Sequence, residues 1–232
     1  MKKSLLILFL LCFGLSSKAQ SSCPDNNHPH MIDLGLPSGT LWACCNVGSS
    51  SPEDYGVSYA WGETETKSEY DYTNYAYGND EYTQNIGKNI AGTKYDVAHV
   101  KWGGSWRMPS MEQIEELTNN CTSKWMTKNG TNGRLCIGPN GQSIFLPAAH
   151  WGFYNDNYEK GGENYAGTYW SSTQDTLFES HASVLYYNCW DRKLIPFRIQ
   201  RYLGASVRPV CPPKKDDMDK YIDILIEGLF GF

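Results

Sequence analysis

At 232 residues the chain is long enough for one sizeable domain or two small ones. Charged residues make up 19%, aromatic residues 14%, and the formal net charge is −5. With no basic stripe in the sequence, this balance argues against nucleic acid and against an anionic membrane surface as partner.

Residues 1–19 read as a secretory signal peptide. Lys2 and Lys3 form the charged start, residues 5–15 an apolar run too short to span a bilayer, and Ser17-Lys-Ala19 a small-x-small cleavage site. The mature chain is expected to begin at Gln20, so the protein is expected to be exported, to the periplasm or the outer cell surface. Cys23 is the candidate for a lipid anchor, but Gln20-Ser-Ser before it lacks the usual apolar residue. Residues 20–32 look like a linker. His28 and His30 flank Pro29 there, and nothing nearby completes a metal site. Of eight cysteines, Cys12 falls in the signal peptide. The other seven are an odd number without CxxC spacing; one or two disulfides are expected, with the rest as small buried apolar residues.

Residues 33–62 look extended. Residues 41–47 and 59–62 read as short strands, and a strand through 41–47 would point Cys44 and Cys45 to opposite faces. Glu63 and Glu65 are paired carboxylates, suited to acid/base work or calcium, but a solvated loop or a packed structural carboxylate explains them as well. Residues 63–97 then form a long polar insertion without periodicity. Five tyrosines (70, 72, 75, 77, 82) fall among its Asp, Asn, Gly and Thr residues. That is the composition of recognition loops, in which tyrosine supplies contact area at little rotamer entropy; a loop held down by its own rings reads the same way.

The strongest local signal lies at residues 102–117. Ser110 is a good N-cap with Gln113 in the capping-box position, and Pro109 blocks helix upstream. Met111, Ile114 and Leu117 recur every three residues between glutamates, which predicts a short amphipathic helix pinned by Trp102 and Trp106. A three-stranded meander follows: residues 124–128, a turn at Asn129-Gly130, residues 134–138, a turn at 139–141, and residues 143–146. Residues 150–170 form a second aromatic loop. Strands are then expected at 168–172, 181–187, 196–201 (with Phe197 and Ile199 sharing a face) and 206–210. Residues 212–232 are a Pro/Lys spacer followed by a short apolar helix pattern, too short and too charged to span a membrane.

Several blocks carry a resemblance. Asp33-Leu-Gly-Leu-Pro-Ser-Gly-Thr-Leu-Trp42, Pro52-Glu-Asp-Tyr-Gly56 and Tyr59-Ala-Trp-Gly-Glu-Thr64 come first. Ala98-His-Val-Lys-Trp-Gly-Gly-Ser-Trp-Arg-Met-Pro109 and Gly138-Pro-Asn-Gly-Gln-Ser-Ile-Phe-Leu-Pro-Ala-Ala149 follow, then Tyr169-Trp-Ser-Ser172 and Gly204-Ala-Ser-Val-Arg-Pro-Val210. In this order they resemble the secreted Bacteroidetes proteins with the Fibrobacter succinogenes major paralogous domain. The helix segment is also similar to the formylglycine-generating-enzyme (sulfatase-modifying factor) branch of the C-type lectin fold. The resemblance implies one α+β domain over 33–211 with a C-type lectin-like fold: one main amphipathic helix, antiparallel strands and long irregular loops. In that fold the N- and C-terminal strands close together and the loops at 63–97 and 150–168 form a display surface, with 188–197 beside it.

No catalytic constellation assembles from the sequence. The sulfatase-modifying activity depends on a close cysteine pair late in the domain, whereas Cys189 and Cys211 here are 22 residues apart. Fold membership does not carry activity across. His99, His150 and His181 stand singly, and Asp96 before His99 has no nucleophile beside it. The favoured expectation is therefore a non-enzymatic binding module that takes a carbohydrate or a surface protein, without cofactor or metal. Its candidate contacts are Trp151, Tyr154, Tyr158, Tyr187, Trp190 and Arg192, since rings stack on sugars or act as hot spots and Arg offers a forked donor. The alternatives are an enzyme on the same fold using Cys189 or Glu63, and an adhesin or receptor diversified over residues 170–203.

Overall fold

The capping box predicted from Ser110 and Gln113 is present. Gln113 N–H donates to Ser110 Oγ (3.3 Å) and Ser110 N–H donates to Gln113 Oε1 (3.0 Å). The computed structural model describes residues 30–79, 82–149, 165–190 and 193–213. Residues 1–29, with Cys23 and His28 among them, and His150, Trp151, Tyr154, Tyr158, Arg192 and the segment 214–232 lie outside the described residues.

In chain order the elements are β1 (Met31–Asp33), β2 (Leu41–Ala43), α1 (Val97–Trp102), α2 (Met111–Asn120), β3 (Thr122–Lys128), β4 (Thr131–Ile137), β5 (Ser143–Pro147), β6 (Ala166–Gln174), β7 (His181–Asn188), β8 (Ile195–Gln200) and β9 (Val210–Cys211). They form three antiparallel three-stranded sheets, β1-β2-β9, β3-β4-β5 and β6-β7-β8, so the class is α+β. The first strands pair with the last through Leu41–Cys211 and Trp42–Val210. The predicted meander is β3-β4-β5, and its first turn uses Asn129 (φ 48°) and Gly130 (φ 85°), the two positive φ values a tight hairpin turn needs.

Strand alternation builds two cores at once. β2 sends Leu41 and Ala43 into one cluster and Trp42 into the other. β6 likewise sends Trp170 into the first and Tyr169 into the second, and its first seven residues are all buried. The first core gathers α1, the two tryptophans Trp102 and Trp106 and one face of β6 and β7. Trp102 and Trp106 meet edge-on at 5.3 Å, as the tight Gly-Gly turn between them requires. The second core lies under α2, with Ile114 and Leu117 packed on Cys136, Leu146 and Tyr187.

Two tryptophans stitch the 59–61 segment to β6. Trp170 Nε1 donates to the Tyr59 carbonyl (2.7 Å) and Trp61 Nε1 to the Ser171 carbonyl (2.9 Å). Glycine is required at 138 for a different reason. A Cβ there would stand 2.0 Å from the Leu34 carbonyl oxygen, because β1 and the 138–141 turn press backbone to backbone. Gly138→Ala is expected to lower stability by about 2 kcal/mol, an overpacking penalty read as a fall in thermal midpoint; an unchanged midpoint would show that this contact relaxes freely.

Three details go beyond the sequence pattern. Residues 97–102 form a helix where no periodicity predicted one, since six residues are too few to show a pattern and Asp96 supplies its cap. Cys44 and Cys45 both sit in the first core, because β2 ends at Ala43 and strand alternation stops there. Phe197 and Ile199 share a face of β8, two residues apart, but not its burial: on this edge strand Phe197 is 51% exposed against 2%.

Candidate functional site

Of the candidate contacts from sequence, Tyr187 and Trp190 are described, and they part company. Tyr187 is not a surface contact: it is fully buried, its ring lying where a Cβ on Gly167 would be 2.3 Å away. Its hydroxyl stands 2.6 Å from the carbonyl oxygens of Leu146 and Pro147, and burial raises its pKa well above the tyrosine value. Trp190 is 79% exposed and stacks on the exposed Tyr165, centroids 6.4 Å apart and planes 9° apart.

The polar residues that looked chemical in the sequence are mostly structural. Glu63 accepts from the Lys67 ammonium and from Ala76 N–H, both at 2.7 Å, so it closes a loop. Asp96, fully buried, accepts backbone N–H bonds from Gly92 (2.8 Å), His99 (3.1 Å) and Met108 (2.9 Å). Burial holds its carboxyl above the ordinary aspartate range, and the N–H donors pull it back. Arg208 spends its donors on Asn46 Oδ1 and on the carbonyls of Ala43, Cys44 and Phe145.

Cys121, Cys136, Cys189 and Cys211 carry free thiols, so none of these four is bridged. Cys136 and Cys211 are packed as small apolar groups. Burial pushes the thiols of Cys121 and Cys211 up to about 11 and that of Cys136 to about 12, far from thiolate chemistry at neutral pH. Cys44 Sγ lies 3.6 Å from His30 Nδ1.

A cleft that the sequence did not point to opens where the first tyrosine loop meets the start of β7 and the end of β8. The Trp61 N–H donates to the Arg201 carbonyl (2.8 Å), Arg201 N–H donates to the Ser180 carbonyl (2.9 Å), and Gly78 bridges Thr83. These bonds lay the loop across the sheet end. The resulting cavity, about 230 Å³, is lined by Tyr72, Tyr75, His181, Arg201 and Tyr202 among others. A shallower hollow of about 420 Å³ continues past Asn79, Thr83 and Ser180 to the exposed Tyr82, Leu177 and Phe178.

Arg201 is 1% exposed. Nε donates to the Tyr75 hydroxyl (2.9 Å), which in turn donates to the Trp61 carbonyl (2.8 Å). Nη1 donates to the carbonyls of Gln84 (3.1 Å) and Glu179 (3.3 Å). The guanidinium carbon stands 4.6 Å from the Trp61 ring centroid and 5.6 Å from that of Tyr75. Nη2 has no hydrogen-bond partner. None of the ion pairs among the described residues includes Arg201. His181, at the cleft wall, is held below the ordinary histidine value, first by burial and then by Arg198, with Asp175 opposing.

The cleft and the Tyr165–Trp190 pair sit at opposite ends of β7, about 23 Å apart at roughly 3.3 Å per residue. Among the described residues, no group of three or more His, Cys, Asp or Glu side chains is placed to hold a metal ion, and no helix is long and apolar enough to cross a membrane. No family model matches the chain, and neither does any curated protein or solved structure.

Proposed function

We propose that the chain is an exported binding module of the Fibrobacter succinogenes major paralogous kind, built on a C-type lectin-like scaffold, and that it takes a glycan through its aromatic loops. Pairing of the terminal strands, the capped main helix and the long loops support the scaffold. The observation that carries the binding reading is the cleft walled by Tyr72, Tyr75 and Tyr202, with Tyr82 and Phe178 standing exposed at its mouth. Tyrosine rings offer flat apolar faces with hydroxyl edges, the chemistry that stacks on a sugar and bonds its hydroxyls. Against enzymatic use, Glu63 and Asp96 are taken up in structural bonds and the thiols of Cys121, Cys136 and Cys211 are pushed away from reactivity.

The test is a glycan array with residues 20–232, run with calcium and again with a chelator. Binding is expected to survive chelation. Tyr82→Ala and Phe178→Ala, both at exposed positions, are expected to weaken it by roughly twofold to tenfold each, the worth of one aromatic contact. Trp190→Ala measures the other end of the sheet. Loss only at Trp190 would move the site there, and capture of a protein in place of any glycan would replace the ligand class.

A further inference from the structure

We infer that Arg201 anchors an acidic group, so that the cleft takes a carboxylate-bearing sugar residue. This rests on the binding-module reading above. Three arginines among the described residues are fully buried, Arg134, Arg201 and Arg208, and the last two make the contrast. Arg208 has every nitrogen of its guanidinium on an acceptor. Arg201 satisfies Nε and Nη1 in the same way, but its Nη2 meets no acceptor; neither arginine forms an ion pair among the described residues. A buried cation without a counter-charge is expensive, and the flanking rings of Trp61 and Tyr75 compensate it only in part. Arg201 also lines the cavity. A ligand carboxylate there supplies both the missing acceptor and the missing charge.

The rest of the cleft selects a sugar ring to carry that carboxylate. A cavity of about 230 Å³ holds one ring and not an extended segment of chain. Tyr72 and Tyr202 meet edge-on at 6.3 Å and offer ring faces, while Thr83 and Ser180 bring hydroxyls to the rim. In the unliganded protein Nη2 is shut off from solvent. An acid therefore reaches Nη2 only when the cleft wall moves, and Tyr72, 42% exposed, is the most exposed of the wall's tyrosines. The formal charge of −5 repels anions at long range, so recognition depends on this one contact rather than on general attraction.

The experiment titrates the mature chain with uronic-acid and sialic-acid oligosaccharides, each paired with its methyl ester, near physiological salt, and follows the tyrosine ring resonances. Esterification removes the charge without touching the protein. The acid is expected to bind roughly tenfold to a hundredfold tighter than the ester, the worth of one charge-assisted hydrogen bond. The rings of Tyr72 and Tyr202 are expected to shift, and a folded Arg201→Gln variant to lose the acid–ester difference. If that variant does not fold, the ester comparison and the ring shifts decide. Equal affinity for acid and ester overturns the inference and leaves the binding module standing. An acid preference with shifts confined to Tyr165 and Trp190 overturns it for this cleft. Binding of neutral glycans alone does the same, and no binding to any glycan removes the underlying reading too.

Discussion

Arg208→Met is expected to destabilise the protein by about 4 kcal/mol, a large part of the roughly 5–15 kcal/mol that holds a domain together. Arg208 is fully buried and precedes β9 by two residues. From there it reaches Asn46 at 2.7 Å, the carbonyls of Ala43 and Cys44 at 3.2 and 3.0 Å, and the Phe145 carbonyl in β5 at 2.9 Å. One side chain thereby joins the closing strand, the end of β2 and the meander. Methionine fills similar volume but withdraws the donors from four buried acceptors at once. Lysine keeps the charge, yet one ammonium cannot span four acceptors on two segments, so Arg208→Lys is also expected to fall short of wild type. At about 2–4 °C per kcal/mol for a domain of this size, the methionine variant should melt about 8–16 °C lower. A shift of under about 2 °C in both variants would show that the sheets do not depend on this strut.

Asp96 carries the second large effect. Both of its oxygens are occupied: Oδ1 accepts from His99 N–H and Oδ2 from Gly92 and Met108 N–H. It caps α1, closes the turn before it and fixes the segment that leads into Pro109 and α2. Asparagine cannot replace it, since in either orientation its amide NH2 faces a backbone donor. Asp96→Asn and Asp96→Ala are both expected to lose about 3 kcal/mol, measured by chemical denaturation. The sign of the pH dependence follows from the raised folded pKa. An acid that holds its proton more tightly when folded adds stability as pH falls through that folded value towards the ordinary aspartate value of 3.8. The wild-type advantage over Asp96→Asn should therefore widen on acidification from neutral pH. An advantage that narrows would mean that the three N–H donors outweigh burial.

These two residues bear on what the sequence blocks from 33 to 210 encode. Arg208 and Gly138 lie within the blocks, and Asp96 stands just before one of them. All three hold backbone together. Trp61 and Trp170 exchange indole bonds across the same blocks. The pattern of these blocks is thus largely a pattern of struts, which is why it speaks to the fold and stays silent about a ligand. The cleft is made instead from the tyrosine loop and the 177–181 turn, where no spacing rule applies.

The sequence by itself determined what short-range chemistry controls. The Ser110–Gln113 capping box, the Ile114/Leu117 stripe, the Asn129-Gly130 turn and the meander follow from groups within a few residues of one another. Only the tertiary structure decided which faces are covered. Alternation shows that Tyr187 has a fixed face on its strand. It is buried because Leu146 and Pro147, some 40 residues away in the chain, close over it. Arg201 reads in the sequence as an ordinary charge at a strand end. It becomes a buried cation because Trp61, Tyr75 and Gln84, more than a hundred residues upstream, fold across it. Burial and hydrogen-bond satisfaction are sums over distant neighbours, and local pattern carries the period of a side chain without the identity of what it meets.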